Sequence, residues 1–481
     1  MQRKFLTNLL LLLFLNILVK PVYIFGIDLK VQNLVGPDEY GIFFSMFNFS
    51  MLFNILLDFG ITNYNNRNIS QYKQLLNKHF SGIVTLRLIL AVVYTVVSFA
   101  IAMAAGYSAR QMSLLGFLIL NQFLISTILY LRSNIAGLQL FKTDSMLSVL
   151  DRVILILLCG FLLYSGSWSG RFTIEVFVWC QTIAYLLAMV TALIVVMRKA
   201  AFRRFYWNPL FARLIIRKSF PYAMLTLLMM FYFRVDSVLL ERLLPDGHGA
   251  RQAGIYASAF RLLDAFIMVP YLFSVLLLPM FARMLRFRED IRSIVSIAFP
   301  ILLVFSLATV ALSIGFSNEI MAVLYKEHAA ESAAVFRLLI PGLAAYSISY
   351  VFGTLLTANG NLWTLNIIAA ASMVLNITLN IMLIPVYEAL GSAVASCLTL
   401  LLAATLQMII SARRFDLWPG WAILIRFLVF MGGTIAVILF QPYLEMSWVY
   451  RFVISGAVIV IIPVITGFIR PAKLVQIVTK S

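Results

Sequence analysis

Charge is scarce in this chain. Only 12% of its 481 residues are Asp, Glu, Lys or Arg, and 62% are hydrophobic, against roughly 25% and 45–50% in a soluble domain. Mean hydropathy is +0.97. No polar stretch exceeds about twenty residues, which leaves no room for a separate water-soluble catalytic domain. Cysteine and histidine are also scarce, at three residues each. Cys159, Cys180 and Cys397 lie in apolar runs without a C-x-x-C pair, so they read as small core residues and support neither a disulfide framework nor a zinc site. His79, His248 and His328 fall at or near segment boundaries, which speaks against a metal cluster or a buried proton relay. No G-x-x-x-x-G-K-[ST] run exists, so no nucleotide-driven motor of that kind is encoded. No cofactor and no metal are expected.

Long apolar runs are what the chain has in abundance. A bilayer core roughly 30 Å thick needs about 20 residues of helix at ~1.5 Å each. Fourteen segments meet that template: 5–29, 40–62, 80–105, 111–138, 146–165, 172–197, 218–243, 252–280, 293–315, 331–357, 361–385, 389–411, 421–441 and 446–469. The first starts basic, with Arg3 and Lys4, but has no small-residue cleavage site, so it is expected to be a retained helix.

With the amino terminus inside, 22 of the 37 Lys and Arg residues fall in cytoplasmic loops and tails. Six fall outside, and nine lie within segments. That asymmetry predicts cytoplasmic termini. The net charge of +18 then reflects topology and contact with anionic lipid, and no nucleic-acid partner is expected.

An internal duplication is visible. Gly41, Ile42, Phe43, Ser45 and Phe47 recur in register as Gly254, Ile255, Tyr256, Ser258 and Phe260, at an offset of 213. The same offset carries the third segment onto the ninth and the fifth onto the eleventh. Each unit holds six segments, an even number, so the halves should be related by an axis along the membrane normal with a site between them near the midplane.

The expected organisation is an all-α membrane protein with an N-lobe over 1–200, a cytoplasmic connector over 201–217, a C-lobe over 218–411, and an appended pair of helices with a tail over 412–481. The joining region is rich in Arg and aromatic residues; an interfacial amphipathic segment and a topogenic charge cluster both fit it.

A charge in the hydrocarbon core costs at least ~2.5 kcal/mol, so depth selects candidates. Arg87, Arg132, Arg152, Arg337, Arg426 and Arg451 lie within reach of headgroups by snorkelling. Lys20, Arg234 and Arg261 lie deeper, some 13 to 24 Å in at ~1.5 Å per residue. Asp264 is three residues from Arg261, on the same helix face; Asp236, two from Arg234, points elsewhere. These two acids are candidate charge partners or ion-coupling groups.

The excess of deep cations suits an anionic ligand such as a phosphate or diphosphate, bound by charge-assisted hydrogen bonds. Asn16, Asn48 and Asp58 are candidates for the polar lining of a cavity. Asparagines inside segments, including Asn376 and Asn380, either bind sugar hydroxyls or tie helices together.

The stretch Leu34-Val35-Gly36-Pro37-Asp38-Glu39-Tyr40-Gly41 resembles the first outer loop of Wzx-type polysaccharide flippases of the MOP superfamily, which also includes lipid II flippases and MATE drug exporters. Asp58-Phe59-Gly60 with Asn65, Asn66 and Arg67, the pair Arg234-x-Asp236, and Ala253-Gly254-Ile255-Tyr256 add to the likeness, which spans 1 to about 411 in architecture.

The resemblance implies a MATE-like bundle of two six-helix lobes plus two appended helices. Such a bundle moves a lipid-linked oligosaccharide from the inner to the outer leaflet of a bacterial cytoplasmic membrane by alternating access, through a cationic cavity on segments 1, 2, 7 and 8. Lys20, Arg234 and Arg261 fall on those segments and would hold the diphosphate. It further implies a monomer, working with other polysaccharide-assembly proteins.

Two alternatives belong to the same superfamily. Lipid II flippases are similar in having an Arg and an acid three residues apart on segment 8, matched by Arg261 and Asp264, but they tend to carry arginines on segments 1 and 2, where this chain has Lys20 and Asn48. An exporter of small cations would keep a deep acid on segment 1. A membrane-embedded glycosyltransferase is disfavoured by the short outer loops.

Overall fold

The computed structural model describes residues 14–16, 18–62, 75–138, 140–165, 172–198, 209–245, 247–418 and 420–468. The start of the first segment, Asn65, Asn66, Arg67 and residues 201–208 of the expected connector lie outside the described residues. Among the described residues every regular element is a helix. In hydrocarbon no water can satisfy a backbone amide, so each apolar run closes its own hydrogen bonds.

A π-helical stretch, Val22–Asp28, leads into α1 (Leu29–Leu52). There follow α2 (Leu75–Ala104), α3 (Ala109–Gly137), α4 (Phe141–Tyr164), α5 (Ile174–Met197), α6 (Pro209–Leu243), α7 (His248–Phe287) and α8 (Arg292–Gly315). The remainder comprises α9 (Ser317–Leu324), α10 (Ala329–Leu339), α11 (Gly342–Ala358), α12 (Leu362–Phe415), α13 (Trp421–Phe440) and α14 (Trp448–Ile465).

Among the described residues, twelve helical runs are long and apolar enough to cross a membrane. The two longest are each long enough for two crossings. Phe14–Asp58 has 45 residues and Leu362–Phe415 has 54, or about 68 and 81 Å at ~1.5 Å per residue. Each is interrupted by a residue far from helical geometry, Gly36 (φ 79, ψ 170) and Glu388 (φ 53, ψ −131). Dividing both runs there restores the fourteen segments read from the sequence.

The Gly36-Pro37 pair explains the first break. Glycine takes the positive φ at no steric cost, and proline then suits the first turn of the next helix, where a missing amide costs nothing. At the second break the chain reverses. Ser392 Oγ donates to Asn380 Oδ1 at 2.9 Å across the turn, and Gly391 lies so near the Leu383 carbonyl that a Cβ there would sit 2.5 Å from its oxygen.

Helix starts follow the sequence where a cap is present. Ser108 and Gln111 form a reciprocal capping box at α3, and Thr173 caps α5 through Val176 N. Residues 209–217, expected in the connector, are the first turns of α6. Segment 10 is divided between α10 and α11 around Pro341, which lacks the amide a continuous helix would need.

The chain forms two compact units, Met1–Gly254 and Ile255–Ser481. In the first, α3 packs along α5, α1 along α6 and α3, and α4 along α5. A core of Phe80, Leu86, Tyr130, Leu131, Leu147 and Val196 fills one end. In the second, α11 packs on α8 and α12, with Phe281, Leu302, Val351, Phe352 and Leu355 as core. The appended helices α13 and α14 pack on α8 through Phe430 and Ile459 against Val304 and Ala308. Exposed side chains such as Val92, Val96, Leu157 and Phe161 are apolar, as lipid-facing positions require.

Candidate substrate-binding site

In the first unit the helix preceding α1 lies parallel to α4. Asn16 Nδ2 donates to Ser148 Oγ at 3.2 Å, Ile27 meets Gly160, and Tyr164 Oη donates to the Gly26 carbonyl at 3.2 Å. Asn16 therefore ties two helices. In this register Lys20, half-buried, is level with Asp151 and Arg152, and it interacts electrostatically with both and with Arg132. Arg152 stacks over Tyr23 at 4.8 Å and Tyr185 at 5.9 Å, and Arg132 pairs with Asp144 at 2.8 Å.

Asn48 Nδ2 donates to Ser237 Oγ at 2.8 Å, both buried, joining α1 to α6 one residue from Asp236. Asp236 is itself almost fully buried. Arg234, two residues earlier, is half-buried. Asp58 is committed to a neighbour: Arg87, buried on α2, pairs with its carboxylate, and Thr62 donates to it. Arg87 also donates to Ser126 Oγ at 2.6 Å and lies over the Tyr130 ring at 5.0 Å. In the second unit Arg261 and Asp264 are both half-buried, three residues apart on α7. Asn376 and Asn380 bond each other within α12, the Asn380 amide donating to the Asn376 carbonyl at 2.9 Å.

The six arginines expected to snorkel all meet protein groups. Arg87, Arg132, Arg152 and Arg451 pair with Asp58, Asp144, Asp151 and Glu319. Arg337 donates to Ser317 Oγ, and Arg426 to the Gly467 carbonyl.

Sequence reasoning also passed over Asp28, at the edge of segment 1. It is 1% exposed, accepting from Tyr40 Oη at 3.0 and 3.1 Å and from Gln32 Nε2 at 3.2 Å. A readable signal was Tyr40, twelve residues on and across the Gly36 turn.

At one end of the first unit, Arg110 holds Glu39 through two bonds of 2.8 and 2.6 Å and Glu175 at 2.7 Å. Nearby, Gln111 donates to Glu241 at 2.7 Å, and Arg242 lies over the Tyr107 ring at 3.8 Å. Burial pushes the Tyr107 phenol above its ordinary pKa, and the Glu241 carboxylate adds to the shift. Among the described residues no three His, Cys, Asp or Glu side chains converge as metal ligands would.

Such a polytopic helical bundle with lysine and arginine set inside its segments has the fold of MOP-superfamily transporters. The chain superposes on lipid II flippase MurJ, in its inward closed conformation, with a TM-score of 0.74 at 14% identity, covering 97% of this chain and 100% of that one. It also superposes on an inward-facing multidrug resistance MATE family transporter, with a TM-score of 0.63 at 15% identity and coverages of 82% and 94%. A third match is a MOP superfamily transporter from Pyrococcus furiosus, with a TM-score of 0.55 at 14% identity and coverages of 85% and 94%. No curated protein sequence matches. Residues 5–285 match the family model of polysaccharide biosynthesis proteins, and the chain belongs to that family.

Proposed function

We propose that this protein is a flippase, not an enzyme, and that it carries a polyprenyl-diphosphate-linked oligosaccharide across a bacterial cytoplasmic membrane for surface-polysaccharide assembly. The observation that carries this reading is membership of the polysaccharide biosynthesis family in a chain of which 97% superposes on a lipid flippase.

In this reading Lys20, Arg234 and Arg261 hold the diphosphate through charge-assisted hydrogen bonds, which are about twice as strong as neutral ones. Asp236 and Asp264 set the charge balance or couple an ion. The glycan is sheltered from hydrocarbon while the polyprenyl tail stays in lipid. Alternating access exposes the site first to one leaflet and then to the other. Both termini face the cytoplasm, and the protein works as a monomer beside other assembly proteins.

The test is to reconstitute the protein into vesicles with a labelled lipid-linked glycan and measure its appearance on the far leaflet. Arg261→Ala is expected to cut the rate about tenfold or more, since a bond to a charged group contributes ~1.5–3 kcal/mol. Undiminished flipping at equal protein level would remove Arg261 from the site.

One observation favours a second reading, a MATE-like exporter of small molecules. Asp28 is a buried acid on the first segment, the segment on which such an exporter would keep its acid, although Asp28 stands at the edge of the segment and not deep within it. Ethidium efflux that depends on Asp28 and is abolished by Asp28→Asn would select it over the flippase.

A further inference from the structure

Arg152 is deeper than the sequence suggests. Its helix begins at Phe141, not at 146, so Arg152 lies eleven residues in, about 16 Å from the helix start at ~1.5 Å per residue. It is fixed there by its surroundings. Its guanidinium stacks over Tyr23 and Tyr185, its Nη1 donates to Tyr185 Oη at 3.4 Å, and its Nε lies 3.5 Å from Asp151. The side chain is still 29% exposed.

The parallel register set by Asn16–Ser148 and Ile27–Gly160 brings Lys20 level with it. Two cations so placed repel each other strongly away from water. Asp151 offsets one charge, and the neighbouring Arg132 already has Asp144. Lys20 and Arg152 with Asp151 sum to one positive charge beside a pre-oriented planar donor, the arrangement that suits a phosphoryl group.

We propose that Lys20 and Arg152, held level by the packing of the first helix on α4, form a site for a lipid-borne phosphoryl group. The proposal rests on the flippase reading and adds to it a recognition residue, Arg152, on a helix outside the expected cavity lining. A phosphoryl group reaches this site either on the polyprenyl diphosphate of the substrate or on an anionic glycerophospholipid. Tyr23 and Tyr185 are positioning residues that act through Arg152.

The experiment is a native mass spectrometry titration of the full-length protein in neutral detergent, with polyprenyl diphosphate in one arm and phosphatidylglycerol in the other. Arg152→Ala is expected to weaken binding about tenfold or more in one arm, as the loss of a bond to a charged group predicts. Loss in the diphosphate arm assigns the site to the substrate, and loss in the phosphatidylglycerol arm assigns it to membrane lipid. Lys20→Ala combined with Arg152→Ala should cost less than the product of the single losses, because both groups serve one ligand.

If Arg152→Ala does not fold, Arg152→Lys keeps the charge and loses the planar fork; its binding should also fall, by about threefold or more. Tyr185→Phe, which removes the hydroxyl that orients the guanidinium, should weaken binding without changing melting temperature. Unchanged binding in both arms for every folded Arg152 variant overturns the site. A wild-type protein that binds no polyprenyl diphosphate overturns the flippase reading instead, and the phosphatidylglycerol arm still decides the site.

Discussion

Gly41 and Gly254 stand at equivalent places in the duplicated sequence, and each closes on the backbone that flanks the other. A Cβ on Gly41 would sit 1.8 Å from the Ala250 carbonyl oxygen, and one on Gly254 would sit 1.9 Å from that of Pro37. Pro37 and Ala250 are separated by the same offset of 213. The contact is therefore reciprocal, as a local two-fold relation between α1 and the start of α7 requires. Close backbone approach through small residues is the usual means of helix association in lipid, where there is no hydrophobic drive between helices.

Because the clashing atoms are backbone, neither helix can yield by a side-chain rotation. Gly41→Ala and Gly254→Ala are each expected to destabilise the protein by about 1–3 kcal/mol or more, read as a lower melting temperature in detergent. Gly26→Ala meets nothing within 4 Å and should leave the melting temperature unchanged or slightly raised.

Asp58 and Arg87 make a pair of which the arginine is 7% exposed and the aspartate 23%. Removing one member leaves the other charged and under-compensated, so Arg87→Ala and Asp58→Ala should each cost about 3 kcal/mol, the low end for such pairs because Asp58 is partly hydrated. Replacing both with apolar residues of similar size should restore much of the loss. A double-mutant cycle on chemical denaturation checks this; strictly additive losses would show that the two groups are not energetically coupled.

The buried Asp28 carboxylate depends on Tyr40 for a donor that reaches both oxygens. Tyr40→Phe keeps the ring, which packs against Phe43 and Phe44, and removes only the hydroxyl. The expected loss is about 1–3 kcal/mol, that of a buried acceptor losing this donor. Gln32→Leu should cost less, since the Gln32 bond to Asp28, at 3.2 Å, is longer than either Tyr40 bond. Melting curves of the two variants side by side test the order.

Crossing segments were legible in the sequence because hydrocarbon enforces a length and an apolar composition that few other structures need. The Gly36-Pro37 break could be read as well, since glycine and proline carry their backbone preferences with them. Glu388 could not: an acidic residue at φ 53 is held by the hairpin around it, and only tertiary structure shows that. Depth along a helix selected Lys20, Arg234 and Arg261 and set Arg152 aside, yet the helix that carries Arg152 starts at Phe141, five residues before the expected 146, which moves a side chain by about 7 Å at ~1.5 Å per residue. Partners were the least legible. Asp58 and Arg87 are 29 residues apart in sequence, and nothing in their spacing announces the pair.

The Arg110 cluster tests the opposite limit from the Asp58 pair. It has better geometry, with a two-pronged bond to Glu39 and a further bond to Glu175, and it ties α1, α3 and α5 together. Yet Arg110 is 54% exposed, with Glu39 at 37% and Glu175 at 42%. Water and salt screen such charges, so geometry alone does not set their worth. Arg110→Ala should cost no more than about 1 kcal/mol, and the difference from wild type should shrink as salt rises from 0.05 to about 1 M, where the screening length falls to roughly 3 Å. Measured with Arg87→Ala across the same salt series, the buried pair should hold its effect while the exposed cluster loses most of its own. A salt-independent loss of several kcal/mol at Arg110 would mean that these carboxylates are sealed from water in the membrane-bound protein.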